Sequence, residues 1–221
     1  MLYQKIAGPY KRDPQTNKVM PGVFASPELE ALFDVPIWTF TEKVDGTNIR
    51  VLWDGYRVTF GGRTEKAQLP PTLLAHLEES YGSPEFETIL EQTFGEKPAV
   101  IFGEGYGPKI NGGGIYRGDV SFVGFDVAIN GRYLAQEDAR GLMAESLNMP
   151  VVPRVNSTPW DLEGAIEAFQ EHKCESFWGD FRPEGWVGVT TPGLLDRHGS
   201  RIVVKVKDVD FPLLTKEANN A

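Results

Sequence analysis

The segment Glu42-Lys43-Val44-Asp45-Gly46-Thr47-Asn48 sets a lysine at the end of an apolar strand pattern and follows it at once with a turn. A lysine placed there points into a cleft. Its amine is a nucleophile only when deprotonated, a state that burial or nearby positive charge promotes by disfavouring the ammonium form. Lys205 and Lys207 could supply that charge: they stand at i and i+2 in Val203-Val204-Lys205-Val206-Lys207, so a strand projects both to one face. An exposed edge strand with solubilising lysines gives the same pattern.

Two carboxylates stand in strand-turn settings, Glu104 in Phe102-Gly103-Glu104-Gly105-Tyr106-Gly107 and Glu184 in Pro183-Glu184-Gly185-Trp186-Val187-Gly188-Val189. Glycines beside them permit close approach of a ligand. Carboxylates opposite lysines are what a nucleoside triphosphate reaction with Mg²⁺ requires: oxygen ligands for the metal and cations for the phosphates. Each glutamate taken singly also fits a solvated turn. The run Asn111-Gly112-Gly113-Gly114-Ile115-Tyr116-Arg117-Gly118 lacks the Gly-Lys-Ser/Thr ending of a P-loop and reads as a mobile surface loop. Within it, Tyr116 and Arg117 could stack on or neutralise a substrate strand.

These residues must be positioned by one substantial core or two modest ones, given 221 residues of which 41% are hydrophobic. One domain is the expectation. From Trp38 to Phe60 the pattern is that of strands, with Ile49, Val51 and Trp53 alternating before an Asp54-Gly55 hairpin turn and Val58 and Phe60 after it. Helical spacing follows Pro70-Pro71 (Leu73, Leu74, Leu77) and Pro84 (Phe86, Ile89, Leu90, Phe94). Strands are expected at Ala99 to Phe102, Ser121 to Ile129, Trp186 to Thr190 and Arg201 to Val206. An Asn130-Gly131 turn closes the second of these, and helices are expected at Gln136 to Leu147 and Trp160 to His172. Strands joined by tight turns and interrupted by helices predict an α+β fold of antiparallel sheets with flanking helices.

The net charge of −9 argues against holding nucleic acid by bulk electrostatics, so any such contact must be local. One imbalance stands out: Lys5, Lys11, Arg12 and Lys18 face only Asp13, as a backbone-contacting arm or an ordinary solvated segment would. The single cysteine, Cys174, excludes an internal disulfide, and His76, His172 and His198 lack paired zinc-ligand spacing. With no apolar run able to span a bilayer and no secretory signal at the start, the cytoplasm of a bacterium or phage-infected cell is expected.

The order and type of these segments resemble the motifs of covalent nucleotidyltransferases, the superfamily of polynucleotide ligases and mRNA capping enzymes. Lys43-Val44-Asp45-Gly46 looks like motif I. Arg63 in Gly61-Gly62-Arg63-Thr64 follows, then Glu104 as motif III and Ser121-Phe122-Val123-Gly124-Phe125-Asp126-Val127 as motif IIIa. Glu184 is similar to motif IV and Lys205-Val206-Lys207 to motif V. A lone Lys-x-Asp-Gly is a weak signal, whereas five segments in order are strong. Thr47-Asn48 and the aromatic-Gly-Glu context of Glu104 most resemble phage-type RNA ligases of the RNA ligase 2 group. That group commonly has His where Asp45 stands, the Asp form being typical of DNA ligases. It also carries a C-terminal domain, whereas here about fourteen residues follow Lys207.

The resemblance implies one adenylyltransferase domain over residues 1–221 with a nucleotide-binding cleft and no separate C-terminal domain. It implies an ATP-dependent RNA ligase, acting as a monomer on nucleic acid with 5′-phosphate and 3′-hydroxyl ends, RNA preferred. Lys43 would take AMP from ATP as a lysyl-AMP and pass it to the 5′ end, which the 3′-hydroxyl then attacks. Glu184, Lys205 and Lys207 would complete the catalytic set, with both lysines also on the phosphates. Glu42 would lie beside adenine, Asn48 in the nucleotide site, and Arg63 and Glu104 near the ribose, while Glu104 and Glu184 would serve Mg²⁺ or Mn²⁺. An aromatic face is expected on adenine, Phe122 or its competitor Phe125, which lie three apart and should face opposite sides of a strand. A minimal DNA ligase, a capping guanylyltransferase and a non-catalytic nucleic-acid-binding protein are the alternatives.

Overall fold

The computed structural model describes residues 1–213. Along the chain run β1 (Tyr10–Arg12), β2 (Val19–Phe24), α1 (Pro27–Ala31) and β3 (Trp38–Glu42), then β4 (Thr47–Trp53), β5 (Val58–Gly62), α2 (Pro71–Tyr81), α3 (Pro84–Phe94) and β6 (Ala99–Tyr106). There follow β7 (Ser121–Ile129), β8 (Arg132–Tyr133), α4 (Gln136–Gly141), α5 (Leu162–Gln170), β9 (Gly185–Thr190) and β10 (Val203–Lys207). The expected α+β class with antiparallel sheets is what the structure has. Two compact units form, one from Met1–Gln4 with Val44–Val152, the other from Lys5–Lys43 with the described residues from Pro153 onward. Any element after residue 213, on which the expectation of no separate C-terminal domain also bears, lies outside the described residues.

The first unit is a five-stranded antiparallel sheet in the order β5-β4-β6-β7-β8. Period-two alternation sends Ile49, Val51 and Trp53, then Ala99 and Ile101, to one face, and with one extra residue in β7 resetting the alternation it sends Phe122 and Val127 there as well. There they meet Leu73, Leu77, Leu90, Phe94 and Met143 from the helical segments. Pro71 and Pro84 sit at the starts of α2 and α3, where a missing N–H costs nothing, and Ser83 Oγ caps α3 by accepting from Phe86 N. The helix expected over Gln136 to Leu147 is α4 followed by a wider π-type turn at Leu142–Ser146. On the opposite face Val100, Phe102 and Ala128 pack with Tyr3, Phe125 and Tyr133. The Asn130-Gly131 turn, with both residues at positive φ, leads into β8 as its sequence demands.

In the second unit a three-stranded antiparallel sheet has the order β10-β9-β3, so β3 pairs with a strand far along the chain. Trp38, Phe40, Trp186, Val204 and Val206 face α5, packing on Leu162, Ala165, Ile166 and Phe169. Asp161 caps α5 by accepting from Gly164 N. Ala7 bridges Val204 in parallel, which lays the N-terminal segment along β10. The β1–β2 hairpin and α1 were not expected from the sequence. No helix among the described residues is long and apolar enough to cross a membrane.

Candidate active site

In the second unit, the alternation that buries Phe40, Trp186, Val204 and Val206 under α5 turns Lys43, Lys205 and Lys207 to the other face. The register lines them up: Thr41 lies opposite Val187, which lies opposite Lys205, while Lys43 N donates to Gly185 O and Gly185 lies opposite Lys207. Gly185 is needed at that crossing, because a Cβ there would stand 2.2 Å from Val206 O. Just before it, Glu184 takes one lysine on each oxygen, Lys43 Nζ at 2.5 Å and Lys207 Nζ at 2.9 Å. All three side chains are partly open, with 26%, 28% and 16% of Lys43, Lys207 and Glu184 exposed. Motif residues distant in sequence thus come together as a lysine, a carboxylate and a second lysine.

Glu42, next to the nucleophile candidate, is only 2% exposed. Its oxygens accept from Ser176 Oγ at 2.6 Å and Phe177 N at 2.8 Å. Burial raises its pKa, and those two hydrogen bonds oppose the rise without cancelling it. The carboxylate therefore anchors the 176–177 turn and is not open to a base; a contact from Glu42 to adenine would have to come from its backbone.

In the first unit, β4 and β6 set Asn48 directly opposite Glu104, and β7 sets Val123 opposite Glu104 on its other side. These three share the face that carries Phe102, away from the helices. Asn48 Oδ1 is buried with no hydrogen-bond partner. An unsatisfied buried acceptor costs about 1–3 kcal/mol, which a ligand donor would return. Arg63 is exposed in the bend just past β5, whose pairing with β4 ends at Gly62 opposite Ile49.

The aromatic expected on adenine needs correction. Phe122 is 0% exposed and belongs to the helix-side core, its ring against Tyr81 and over Gly103, where a Cβ would lie 2.3 Å from the ring. Phe122 and Phe125 do face opposite sides, yet Phe125 packs on Tyr3, at 5.1 Å between ring centroids. A bulge that pairs Phe102 with Asp126 and Gly103 with Gly124 leaves Phe125 as the extra residue. Val123 is the motif IIIa side chain beside Glu104, and the sequence holds no mark of that register.

The glycine-rich run is exposed over most of its length but is pinned down at two points. Gly113 and Tyr116 are buried, and the loop folds onto the turn of motif I. Gly112 N donates to Asp45 Oδ2 at 3.2 Å, Tyr116 Oη accepts from Asp45 N at 3.2 Å, and Asn111 Nδ2 donates to Gly46 O. Gly112 and Gly46 are both obligatory: a Cβ on the first would sit 2.3 Å from Asp45 Oδ2, and on the second 2.3 Å from Gly105 O. Tyr116 is thus a strut, whereas Arg117 stays exposed and is paired with Asp119 at 2.5 Å. Asp45 has a local structural task, which weakens its value as a marker of substrate type.

No group of three or more His, Cys, Asp or Glu suited to a metal occurs among the described residues. A cavity of about 570 Å³, lined by Trp160, Trp186, Cys174 and Phe177 among others, lies on the α5 side of the second unit. Burial pushes the Cys174 thiol up to about 12, so it is no nucleophile.

A five-stranded and a three-stranded antiparallel sheet, with motif residues on the face each turns away from its helices, define a nucleotidyltransferase-type fold. The family model for RNA ligase matches residues 36–207, and the chain belongs to the RNA ligase family. Among solved structures it is similar to a mutant RNA ligase of Naegleria gruberi without ligand, with TM-score 0.63 and 16% identity, covering 83% of this chain and 52% of that one. A second mutant of that ligase, with ATP and Mn, gives TM-score 0.62 and 16% identity over 83% and 54% of the two chains. The same ligase with pyrophosphate gives 0.60 and 17% over 80% and 51%. The present chain therefore spans about half the length of these relatives, and at such identity the likeness shows the fold. No match was found among curated proteins.

Proposed function

We propose that the chain is an ATP-dependent RNA ligase that joins 5′-phosphate and 3′-hydroxyl ends through a lysyl-AMP intermediate. The observation that carries this reading is Glu184 held between Lys43 and Lys207 on the open face of the three-stranded sheet. Residues 36–207, matched by one family model, take in strands of both units, which supports reading them as one adenylyltransferase domain.

Lys43 Nζ forms a bond to the α-phosphorus of ATP as the bond to pyrophosphate breaks, and Glu184 is within reach of the proton that the amine must shed. Lys207, with Lys205 one strand pleat away on the same face, offsets charge that builds on the phosphate oxygens. Asn48 Oδ1 offers an acceptor to the nucleoside, and the docked loop fixes the turn after Lys43. Glu184, and in the other unit Glu104, each carry the hard oxygen donors that would suit Mg²⁺ or Mn²⁺, and a bound ion would neutralise phosphate charge. The AMP then passes to a 5′-phosphate and is displaced by a 3′-hydroxyl, a reaction we place in the cytoplasm, where ATP is at hand.

Incubation with α-labelled ATP or GTP, followed by sealing of matched RNA and DNA nicks, tests the reading. A protein-bound AMP that requires Lys43, with faster sealing of RNA, is the expected result. Labelling by GTP would make it a capping-type enzyme, preferential sealing of DNA a DNA ligase, and no adduct a protein that binds without turnover.

A further inference from the structure

In a chain of net charge −9, the first eighteen residues carry Lys5, Lys11, Arg12 and Lys18 against one acid, Asp13. The structure separates their roles. Arg12 is spent internally, with Nη2 on Asp210 at 2.5 Å and Nη1 on Asn17 O at 2.9 Å. Lys5, Lys11 and Lys18 are exposed, and none is ion-paired among the described residues.

The element that holds them is well built. Asp13 Oδ1 accepts from Gln15 N, Thr16 N and Thr16 Oγ1, and Asp13 N donates to Lys18 O, closing the β1–β2 loop. Those bonds keep the Asp13 carboxyl below its ordinary range. Tyr10 and Phe24 seat the hairpin on Phe33 and Phe211. A segment that carried lysines only for solubility would need none of this ordering.

Its direction matters most. Ala7 pairs in parallel with Val204 and accepts from Lys205 N, so the N-terminal segment runs alongside β10 toward Lys207. Three residues past Lys207, Asp210 grips Arg12, and Phe211 meets the Tyr10 ring. The hairpin therefore continues beyond the end of β10 that presents Lys207 to Glu184. Lys205, Lys207, Lys11 and Lys18 thus all belong to one unit, with Lys11 next to the Arg12 that Asp210 holds.

We propose that the β1–β2 hairpin is a docking arm for the phosphodiester backbone of an RNA strand, with Lys11 and Lys18 as its phosphate contacts. The proposal rests on the RNA ligase reading for its partner and on charge complementarity for its surface: phosphate contacts by lysine are local, salt-sensitive and indifferent to base sequence. It gives an acidic protein the local basic footing that binding a polyanion requires.

The test compares the whole protein with a Lys11→Gln/Lys18→Gln variant, and with Lys66→Gln/Lys97→Gln as a control of equal charge change at other exposed positions. Fluorescence anisotropy of a short 5′-phosphorylated single-stranded RNA, titrated with sodium chloride, reads binding. Formation of the AMP adduct reads the nucleotide reaction. Removing two contacts should weaken binding roughly tenfold and flatten the slope of log K against log salt by about 1.4, since each single-strand contact contributes about 0.7. Adduct formation should be unchanged, and the control should bind as the wild type does. Wild-type binding by the Lys11→Gln/Lys18→Gln variant, an equal loss in the control, or a wild type that binds no RNA while forming the adduct would each overturn the arm. Absence of the adduct in the wild type would instead overturn the ligase reading.

Discussion

The two sheets prepare their open faces in opposite ways. In the three-stranded unit the polar side chains are already partnered with one another, Lys43 and Lys207 each holding an oxygen of Glu184. In the five-stranded unit Asn48 Oδ1 is buried and unsatisfied, and the backbone around it is held close by glycines at 46, 103 and 105, where a Cβ would meet Gly105 O, the Phe122 ring and Leu73. On the proposed reading, the groups whose charge must move are held in mutual ion pairs until a phosphate competes for the lysines. Asn48, the group proposed to recognise the nucleoside, is left without a partner, at a cost that a ligand donor would offset.

That contrast breaks most directly at its two ends. Lys43→Ala is expected to abolish the AMP adduct, because no other amine in the triad stands on the strand that leads into motif I. Asn48→Ala should leave the adduct chemistry intact and raise the KM for ATP by about tenfold or less, the worth of one hydrogen bond. Gel assays of labelled protein across ATP concentrations separate the two. A Lys43→Ala protein that still forms the adduct, or an Asn48→Ala protein that cannot be rescued by more ATP, would dissolve the distinction between moving and recognising groups.

On the open face of the three-stranded sheet, Glu184→Ala and Lys205→Ala should each slow adduct formation at saturating ATP, by roughly 10²-fold or more, as removal of one charged transition-state partner does. The loss should fall on kcat, since neither side chain is asked to recognise the base. Near-normal rates in both variants would mean that motifs IV and V have been given the wrong roles.

The elements that carry these residues were legible wherever alternation ran unbroken to a turn signal. Ile49 to Phe60 around Asp54-Gly55 and Ser121 to Ile129 before Asn130-Gly131 are β4–β5 and β7. The β1–β2 hairpin escaped because β1 has three residues and Pro21-Gly22 interrupts β2. At the site, residue types were legible and partners were not. Glu184 reaches Lys43 across 141 positions only because β3 pairs with β9 instead of with its neighbour β4. Phe122 looked available for the same reason: nothing local announces the bulge at Phe125 that fixes which motif IIIa side chain shares the face of Glu104. Asp45 read as a mark of substrate type, while its partner, Gly112 N, lies 67 residues on.

The docked loop sharpens the account of the five-stranded unit. Tyr116→Phe removes the acceptor of Asp45 N, and Gly112→Ala forces a Cβ into Asp45 Oδ2. The first should cost about 0.5–1.5 kcal/mol and the second about 1–3 kcal/mol of stability, read as lower melting temperatures. Both should slow adduct formation a few-fold, because the turn after Lys43 loosens while the Lys43, Glu184 and Lys207 contacts stay. A stability loss with an unchanged rate would make the loop scaffolding alone.

The smallest effect concerns Glu42, the residue where the charged unit also buries a carboxylate. Burial holds its pKa in the folded protein above the ordinary value of 4.5, against the pull of Ser176 and Phe177. As pH rises from about that value, the unfolded chain gives up its Glu42 proton before the folded chain does. The folded state then binds more protons, so the stability this group contributes is greatest at low pH and falls until the raised folded value is passed. Glu42→Gln cannot ionise and removes that dependence while keeping a carbonyl oxygen for Phe177 N. Thermal melts of both proteins from acid to neutral pH should show the wild type losing ground to Glu42→Gln as pH rises. A constant difference would mean that Glu42 ionises in the folded protein as readily as in the unfolded chain, and that the Ser176 and Phe177 hydrogen bonds offset its burial in full.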